Sequence, residues 1–303
     1  MLVNLTMALT FGLQPFVALE EGDLHWNIAR DLHGEQSPNI LSELEFDSIN
    51  GHAVGFAGDV VSPWYHNWQL WLEGSVAKVS VNRGTTVDSD YRGDDRGAPY
   101  SRSRSDIVGQ RGLRYNGGLG LRYQFAPSHS LALVVGVYHL DQTLNFQRGT
   151  QVLASPNIYT ENQVANLDRT LHEELDTDYA STWEGNFSGA IYEWQSGRWS
   201  HQWRAQYHRG RYYGEGRWNL RSDLQQPRSF SHYVNSTGLD YSWQIDFAMA
   251  QNWSANMQWL YRDWDSDAGV SVHFLSNGEI GATRFNQVGW RAKQWRFGIT
   301  RTW

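Results

Sequence analysis

Two aspartates at alternate positions, Asp88 and Asp90, are the residues of this sequence best placed to do chemistry. In an extended segment such residues point to the same side, so their carboxylates can converge. Paired carboxylates can serve as general acid and base, and alternating Asp oxygens can hold a calcium ion. With Asp94 and Asp95 close by, the same residues can equally form an acidic surface loop. The spacing alone leaves catalysis, calcium binding and an acidic loop open.

The remaining candidates for chemistry are few. Asp263, Asp265 and Asp267 form a second alternating set, which predicts an exposed strand extension with Arg262 as a partner and cation binding as the alternative. The eleven histidines lack metal-ligand spacing, and the absence of cysteine excludes disulfides, thiolate metal sites and a Cys nucleophile. A net charge of −7 without a basic block disfavours nucleic acid. We therefore expect no cofactor, no metal and no nucleic-acid partner.

The elements that must position these residues show a period of two. Between Leu239 and Met249, apolar side chains occupy the odd positions and polar ones most even positions, as expected for a strand between two different environments. Similar alternation recurs along the chain, with apolar faces rich in the 16 Trp and 15 Tyr. A soluble sandwich also alternates. Aromatic apolar faces opposite Arg, Asp and Glu nevertheless favour a closed barrel in lipid.

Turn-type residues divide the chain into strands joined by short and long connections. The short connections are 62–67, 126–129, 195–198 and 250–252, and the long ones are 30–39, 84–111, 150–179, 222–230 and 274–281. Nine connections join ten strands, with short turns on one side and long loops on the other, which is typical of outer-membrane barrels. The sequence predicts an all-β, antiparallel transmembrane β-barrel over 19–303. Residues 1–18 are either a signal remnant or the start of the first strand.

A barrel of ten strands has little free interior. The charged residues predicted to face the interior form either a salt-bridged plug or a narrow polar conduit. They are Glu73, Arg114, Arg122, Asp240, Asp246, Arg262 and Arg296.

The chain ends in an alternating segment that closes on Trp303, as bacterial outer-membrane barrels typically do, with Arg301 as an interruption of its apolar face. We expect a monomer in the outer membrane, in contact with lipid and lipopolysaccharide and recognised by the barrel assembly machinery through Trp303. An aromatic girdle facing lipid is expected near the short turns, because aromatic rings favour the interface. Its members are Trp68, Tyr123, Trp253, Trp295 and Trp303.

Several segments resemble the omptin family of outer-membrane proteases. They are Ile40–Phe46, Val87–Tyr91 and Tyr138–Gly149. The chain is still more similar to omptin-like outer-membrane proteins to which no activity is attached. That likeness is carried by Asn27–Ala29, Asp88–Tyr91, Trp218–Asp223 and Pro227.

The omptin resemblance implies a peptidase in which an Asp-x-Asp pair and an Asp-x-His pair activate water across the barrel mouth. Asp88 and Asp90 match the first pair. The second pair is expected in 215–225, where the sequence has no histidine; the nearest are His208 and His232. Tyr138 matches the tyrosine of the omptin lipopolysaccharide site, but the residues that follow it do not. We expect a structural, adhesive or narrow-conduit role through the outer loops, with an omptin-like aspartyl endopeptidase and a small porin as alternatives.

Overall fold

A computed structural model, which describes residues 9–155 and 171–303, consists of eleven β-strands. The described residues contain no helix long and apolar enough to cross a membrane. The strands are β1 (Thr10–Ile28), β2 (Ser42–Val61), β3 (Trp68–Gly93), β4 (Gly97–Ala126), β5 (His129–Ala154), β6 (Leu171–Ser196), β7 (Trp199–Arg217), β8 (Phe230–Ala250), β9 (Trp253–Ser266), β10 (Gly269–Phe274) and β11 (Ile280–Thr302).

The strands close into a ring because β1 pairs antiparallel with β11 along nearly its whole length, from Gly12↔Thr302 to Ile28↔Phe285. β9 and β10 together form one wall of the ring. β9 fills the gap between β8 and β11 in the half nearer the short turns, and β10 fills it at the other end. Eleven strands therefore make ten wall positions, and the predicted antiparallel barrel of about ten strands is confirmed.

An apolar belt surrounds the barrel next to the short turns. On β3, exposed apolar side chains run from Trp68 to Val76 and stop at the exposed Lys78. That length suits a tilted membrane strand, which needs about 9–11 residues. All five residues of the predicted aromatic girdle point outward and are exposed. Residues 10–18 belong to β1, whereas residues 1–8 lie outside the described residues.

An aromatic plug closes the interior above this belt. Trp26 on β1 contacts Tyr179 on the opposite β6, with ring centroids 5.7 Å apart. Phe46 on β2 stacks on the same Tyr179 at 5.5 Å. Trp183 on β6 lies 5.6 Å from Trp264 on β9. Side chains from opposite walls therefore touch at this level of the described barrel.

A polar chamber of about 320 Å³ lies below the plug, and all seven predicted interior charges line it. Arg204 on β7 reaches across the bore to Glu73 on β3 through two hydrogen bonds of 2.6 Å. Arg262 pairs with Asp240 at 2.8 Å on neighbouring strands. Such pairing offsets the cost of burying charge, and it supports the salt-bridged interpretation of the interior.

Three sequence predictions about the outer rim need correction. Segment 84–111 is a long β-hairpin with its turn at 94–96, because β3 and β4 continue far above the belt. Both faces of this hairpin are rich in polar residues, so the periodicity that marks the lower strands is missing. Segment 150–179 is mostly strand in its described part, with 156–170 outside the described residues. Asp263 pairs with Arg291 at 3.0 Å, whereas the predicted partner Arg262 points into the barrel.

Candidate functional site

Asp88 and Asp90 lie on the inner side of β3 at the outer mouth of the barrel. Asp88 is ten positions beyond Lys78, where the apolar belt ends. In the strand register Asp90 stands beside Ser42 on β2, and Asp88 stands beside Leu44. Both carboxylates line a cavity of about 360 Å³ that opens toward the mouth. The acidic-loop interpretation is therefore wrong, because the two residues belong to a strand and face a cavity.

The loop that follows β7 holds the carboxylates from above. Its first residue, Trp218, donates its indole N–H to Asp88, while the Ser42 hydroxyl donates to Asp90. Two hydrogen bonds to the backbone of Trp218 fix the loop. The backbone N–H of Trp218 donates to Ser229 Oγ at 2.9 Å, and Gln226 Nε2 donates to the backbone carbonyl of Trp218 at 2.8 Å. Trp218 is thus fixed in position before any ligand arrives.

Protein surrounds the two carboxylates closely, although each keeps some access through the mouth. Burial, followed by the neighbouring Asp90 charge, raises the pKa of Asp88 to about 8. Burial likewise raises the pKa of Asp90, against the hydrogen bond from Ser42 and the charge of Arg221. Two acids this close share protons, so the pair holds at least one proton at neutral pH. A pair in this state can both donate and accept a hydrogen bond.

His232 stands on the wall directly opposite. It lies on β8, which is five positions from β3 in a ring of ten, and it lines the same cavity. Its ring is fully buried against Trp26 and Phe285, with centroids 4.6 and 4.2 Å away. Burial, helped by nearby His273, lowers the pKa of His232 well below its usual value. The imidazole is therefore neutral at physiological pH.

A hydrogen-bond chain ends on one nitrogen of that neutral ring. Tyr212 and Tyr179 share a short hydroxyl–hydroxyl bond, and the Tyr179 hydroxyl lies 3.0 Å from His232 Nδ1. The imidazole proton is on Nε2 when Tyr179 donates to Nδ1, and on Nδ1 when Nδ1 donates to the Tyr179 hydroxyl. Nε2 is buried and has no hydrogen-bond partner among the described residues. The wall facing the carboxylates thus contains a neutral imidazole whose Nε2 is enclosed by protein.

Two further groups at the mouth were not among the sequence candidates. Arg221 forms a bidentate pair with Asp223, at 2.8 and 2.7 Å. His273 on β10 lies 3.3 Å from the hydroxyls of Ser271 and Thr283. Arg221, Asp223 and His273 all line the cavity. The stretch Trp218–Asp223 was noted only for its resemblance. His273 lies just before the predicted loop 274–281 and carried no signal of its own.

The Asp-x-His pair expected in 215–225 is not formed. His208 lies beneath the mouth, against the rings of Tyr138 and Trp264 and 3.5 Å from Asp240, and it does not line the cavity. His232 is the histidine that faces Asp88 and Asp90 across the mouth. Within residues 9–155 and 171–303, no group of three acidic or histidine side chains is arranged to hold a metal ion.

Comparisons with known proteins agree with this architecture. The structure resembles the outer-membrane protease OmpT of Escherichia coli, with a TM-score of 0.72 and 11% identity over 97% of each chain. It matches OprG of Pseudomonas aeruginosa over 98% of this chain and 97% of that one, with a TM-score of 0.34 and 11% identity. No curated protein matches the sequence. The family model described as Protochlamydia outer membrane protein matches residues 19–302. The chain is an outer-membrane β-barrel and belongs to the Protochlamydia outer membrane protein family.

Proposed function

We propose that this protein is a closed outer-membrane barrel that binds a ligand at its outer mouth. The observation that carries the proposal is the mouth cavity, lined by the carboxyl pair of Asp88 and Asp90 on one wall and by His232 on the opposite wall. A concave, mostly apolar cavity with a few convergent polar groups is the usual form of a ligand site. In this proposal, the structural or adhesive role expected from the sequence becomes ligand binding at one place, the outer mouth of the barrel.

The aromatic plug argues against the narrow conduit and against the porin. Contacts between opposite walls fill the bore beneath the mouth, and the chamber below is crossed by the Arg204–Glu73 pair. Planar-bilayer recordings of the refolded protein test this part. We expect no discrete conductance steps, whereas steady single-channel openings of reproducible size would contradict the closed barrel.

Hydrolysis of a peptide bond is the second candidate, and the position of Asp88 and Asp90 opposite His232 favours it. A carboxyl pair that shares a proton can take a proton from an attacking water and give one to the leaving nitrogen. The neutral imidazole of His232 lies on the facing wall of the same cavity. This arrangement differs from the Asp-x-His pair of the omptins, because the residue two positions before His232 is Phe230 and not an aspartate.

A cleavage assay separates binding from hydrolysis. The refolded protein, supplied with lipopolysaccharide, is incubated with an internally quenched peptide library and compared with Asp88→Ala. Asp263→Asn is the matched control, because Asp263 is an acidic residue of the outer rim whose partner is Arg291, away from the cavity. Hydrolysis predicts turnover that Asp88→Ala abolishes and Asp263→Asn preserves. Binding without turnover leaves the mouth as a ligand site only.

A further inference from the structure

Arg301 interrupts the apolar outer face of β11 near the short turns. Its side chain is exposed, and it belongs to the same outward-facing row as Phe297 and Ile299. In the strand register it stands between Leu13 on β1 and Trp253 on β9, and both of these residues are exposed members of the apolar belt. A guanidinium therefore projects from the lipid-facing wall of the barrel.

The height of Arg301 matches the headgroup level of a bilayer. Along β11 the next outward-facing charge is Lys293, eight positions away, and the outward positions between the two are apolar. Eight residues of strand span about 26 Å. At the usual strand tilt this is a rise of about 20 Å, close to the height of the apolar band of an outer-membrane barrel. Arg301 thus lies at the short-turn edge of the hydrocarbon layer, where the polar headgroups begin.

Two tryptophan rings hold the guanidinium in place. Its central carbon lies 4.9 Å from the centroid of the Trp303 ring and 5.3 Å from that of the Trp253 ring. Aromatic rings attract a cation at these distances, but they do not accept hydrogen bonds in the plane of the guanidinium. The N–H groups of Arg301 therefore still need an acceptor.

No carboxylate side chain of the described barrel neutralises Arg301. Within residues 9–155 and 171–303, its guanidinium takes part in no ion pair and no side-chain hydrogen bond. On the two flanking strands the nearest outward-facing carboxylates are Glu21, eight positions beyond Leu13, and Asp263, ten positions beyond Trp253. Both lie at the opposite edge of the belt. The anion that stabilises this cation has to come from the surroundings of the barrel.

Arg198 shows the contrasting arrangement on the same side of the membrane. It lies in the short turn between β6 and β7, with its guanidinium 4.8 Å from the centroid of the Phe247 ring. Its Nε and Nη2 donate to the backbone carbonyls of Ala248 and Met249, at 2.7 and 2.6 Å. The protein therefore uses the donors of Arg198, whereas it leaves those of Arg301 to a ligand.

The surface above Arg301 can receive an acyl chain. In the register Ile299 stands beside Ala255 on β9, and Ala255 stands beside Phe247 on β8. The short side chain of Ala255 between two large neighbours leaves a shallow apolar depression. A lipid can place its phosphate at the guanidinium and one chain along this depression, which adds apolar contact that a free phosphate ion lacks.

We propose that Arg301 binds the phosphate of an anionic phospholipid in the leaflet on the short-turn side, with Trp253 and Trp303 fixing the guanidinium. A guanidinium can donate two parallel hydrogen bonds to two phosphate oxygens. A lipid of net negative charge is favoured, because it neutralises the arginine. One basic residue at an anionic membrane surface changes the affinity by about fivefold. This site is separate from the mouth cavity and does not depend on it.

Native mass spectrometry of the refolded full chain in detergent provides the test. The dissociation constant of the first bound lipid is measured for phosphatidylglycerol and for phosphatidylcholine with the same acyl chains. We expect phosphatidylglycerol to bind about fivefold more tightly, and Arg301→Gln to remove that preference. Arg301→Lys should restore only part of it, because an ammonium lacks the planar fork of donors. Arg198→Gln is the matched control and should keep the preference. Heat-modifiable gel mobility shows that each variant is folded.

Three results would overturn the proposal. The first is an equal affinity of the two lipids in the unchanged protein, or a preference that survives Arg301→Gln. The second is an equal loss in Arg198→Gln and Arg301→Gln, because the attraction would then come from the overall charge of the short-turn side. The third concerns millimolar inorganic phosphate added as a competitor. We expect phosphatidylglycerol to stay bound, whereas its displacement would indicate a site for free phosphate and not for a lipid.

Discussion

Replacing Trp183 with alanine tests whether the plug is a packed core. Trp183 is fully buried, and its ring lies 4.6 Å from Tyr212 and 5.6 Å from Trp264. Truncating a buried tryptophan typically costs about 3–5 kcal/mol of unfolding free energy, because contacts are lost and a cavity remains. We place Trp183→Ala in the upper half of that range, since rings on two other strands leave the site little freedom to collapse.

The assay is reversible urea unfolding in lipid vesicles, followed by tryptophan fluorescence and gel mobility. Trp64→Ala is the matched control, because Trp64 lies in the short turn 62–67 and is 41% exposed. Its loss should be roughly 1 kcal/mol or less. If Trp183→Ala were no more destabilising than Trp64→Ala, the interior would not be packed as described, and the argument for a closed bore would fail.

Two other changes follow from the geometry. The infrared band of a protonated carboxyl should disappear as the pH rises through about 8, because the pKa of Asp88 is raised. Asp88→Asn should remove this transition. If the band of the unchanged protein had already disappeared below pH 5, the description of a buried carboxyl pair would be contradicted. The raised pKa also means that the stabilisation from Asp88 is complete below its unfolded-state pKa of 3.8 and is lost as the pH rises through about 8. In Gly238→Ala, the new methyl would overlap the Trp264 ring and cost about 1–3 kcal/mol, measured by urea unfolding. Gly117→Ala, where the nearest atom is 3.9 Å away, should show no such overlap cost; equal losses would refute the packing of Trp264 on Gly238.

The sequence predicts the membrane-proximal half of the barrel well, because two different environments impose a strict alternation there. The predicted interior charges line the chamber, and Trp68 and Trp295 point outward as expected. Above the belt this contrast disappears, since the outward face meets water. The β3–β4 hairpin was for that reason predicted as a loop. The sequence likewise does not predict the break at Asp267–Ala268, which divides one wall position of the ring into β9 and β10.

The site was only half predictable. The alternate spacing of Asp88 and Asp90 is visible in the sequence, so we could expect both side chains on one side of a strand. Their partners come from distant segments that only ring closure brings together. His232 faces them because β8 is opposite β3, and neither its burial nor its bond to Tyr179 can be derived from local sequence. His273 lies on β10, a six-residue strand that ends where the predicted loop 274–281 begins.

Thiol labelling from the two sides of the membrane tests the closed barrel with an outer site most directly. The chain contains no cysteine, so single-cysteine variants report one position each. Asp88→Cys lines the mouth cavity, and Ser254→Cys lines the chamber below the plug. With an impermeant thiol reagent added only from outside, we predict rapid labelling of Asp88→Cys and none of Ser254→Cys until the short-turn side is exposed. Labelling of Ser254→Cys from outside at a comparable rate would contradict the account.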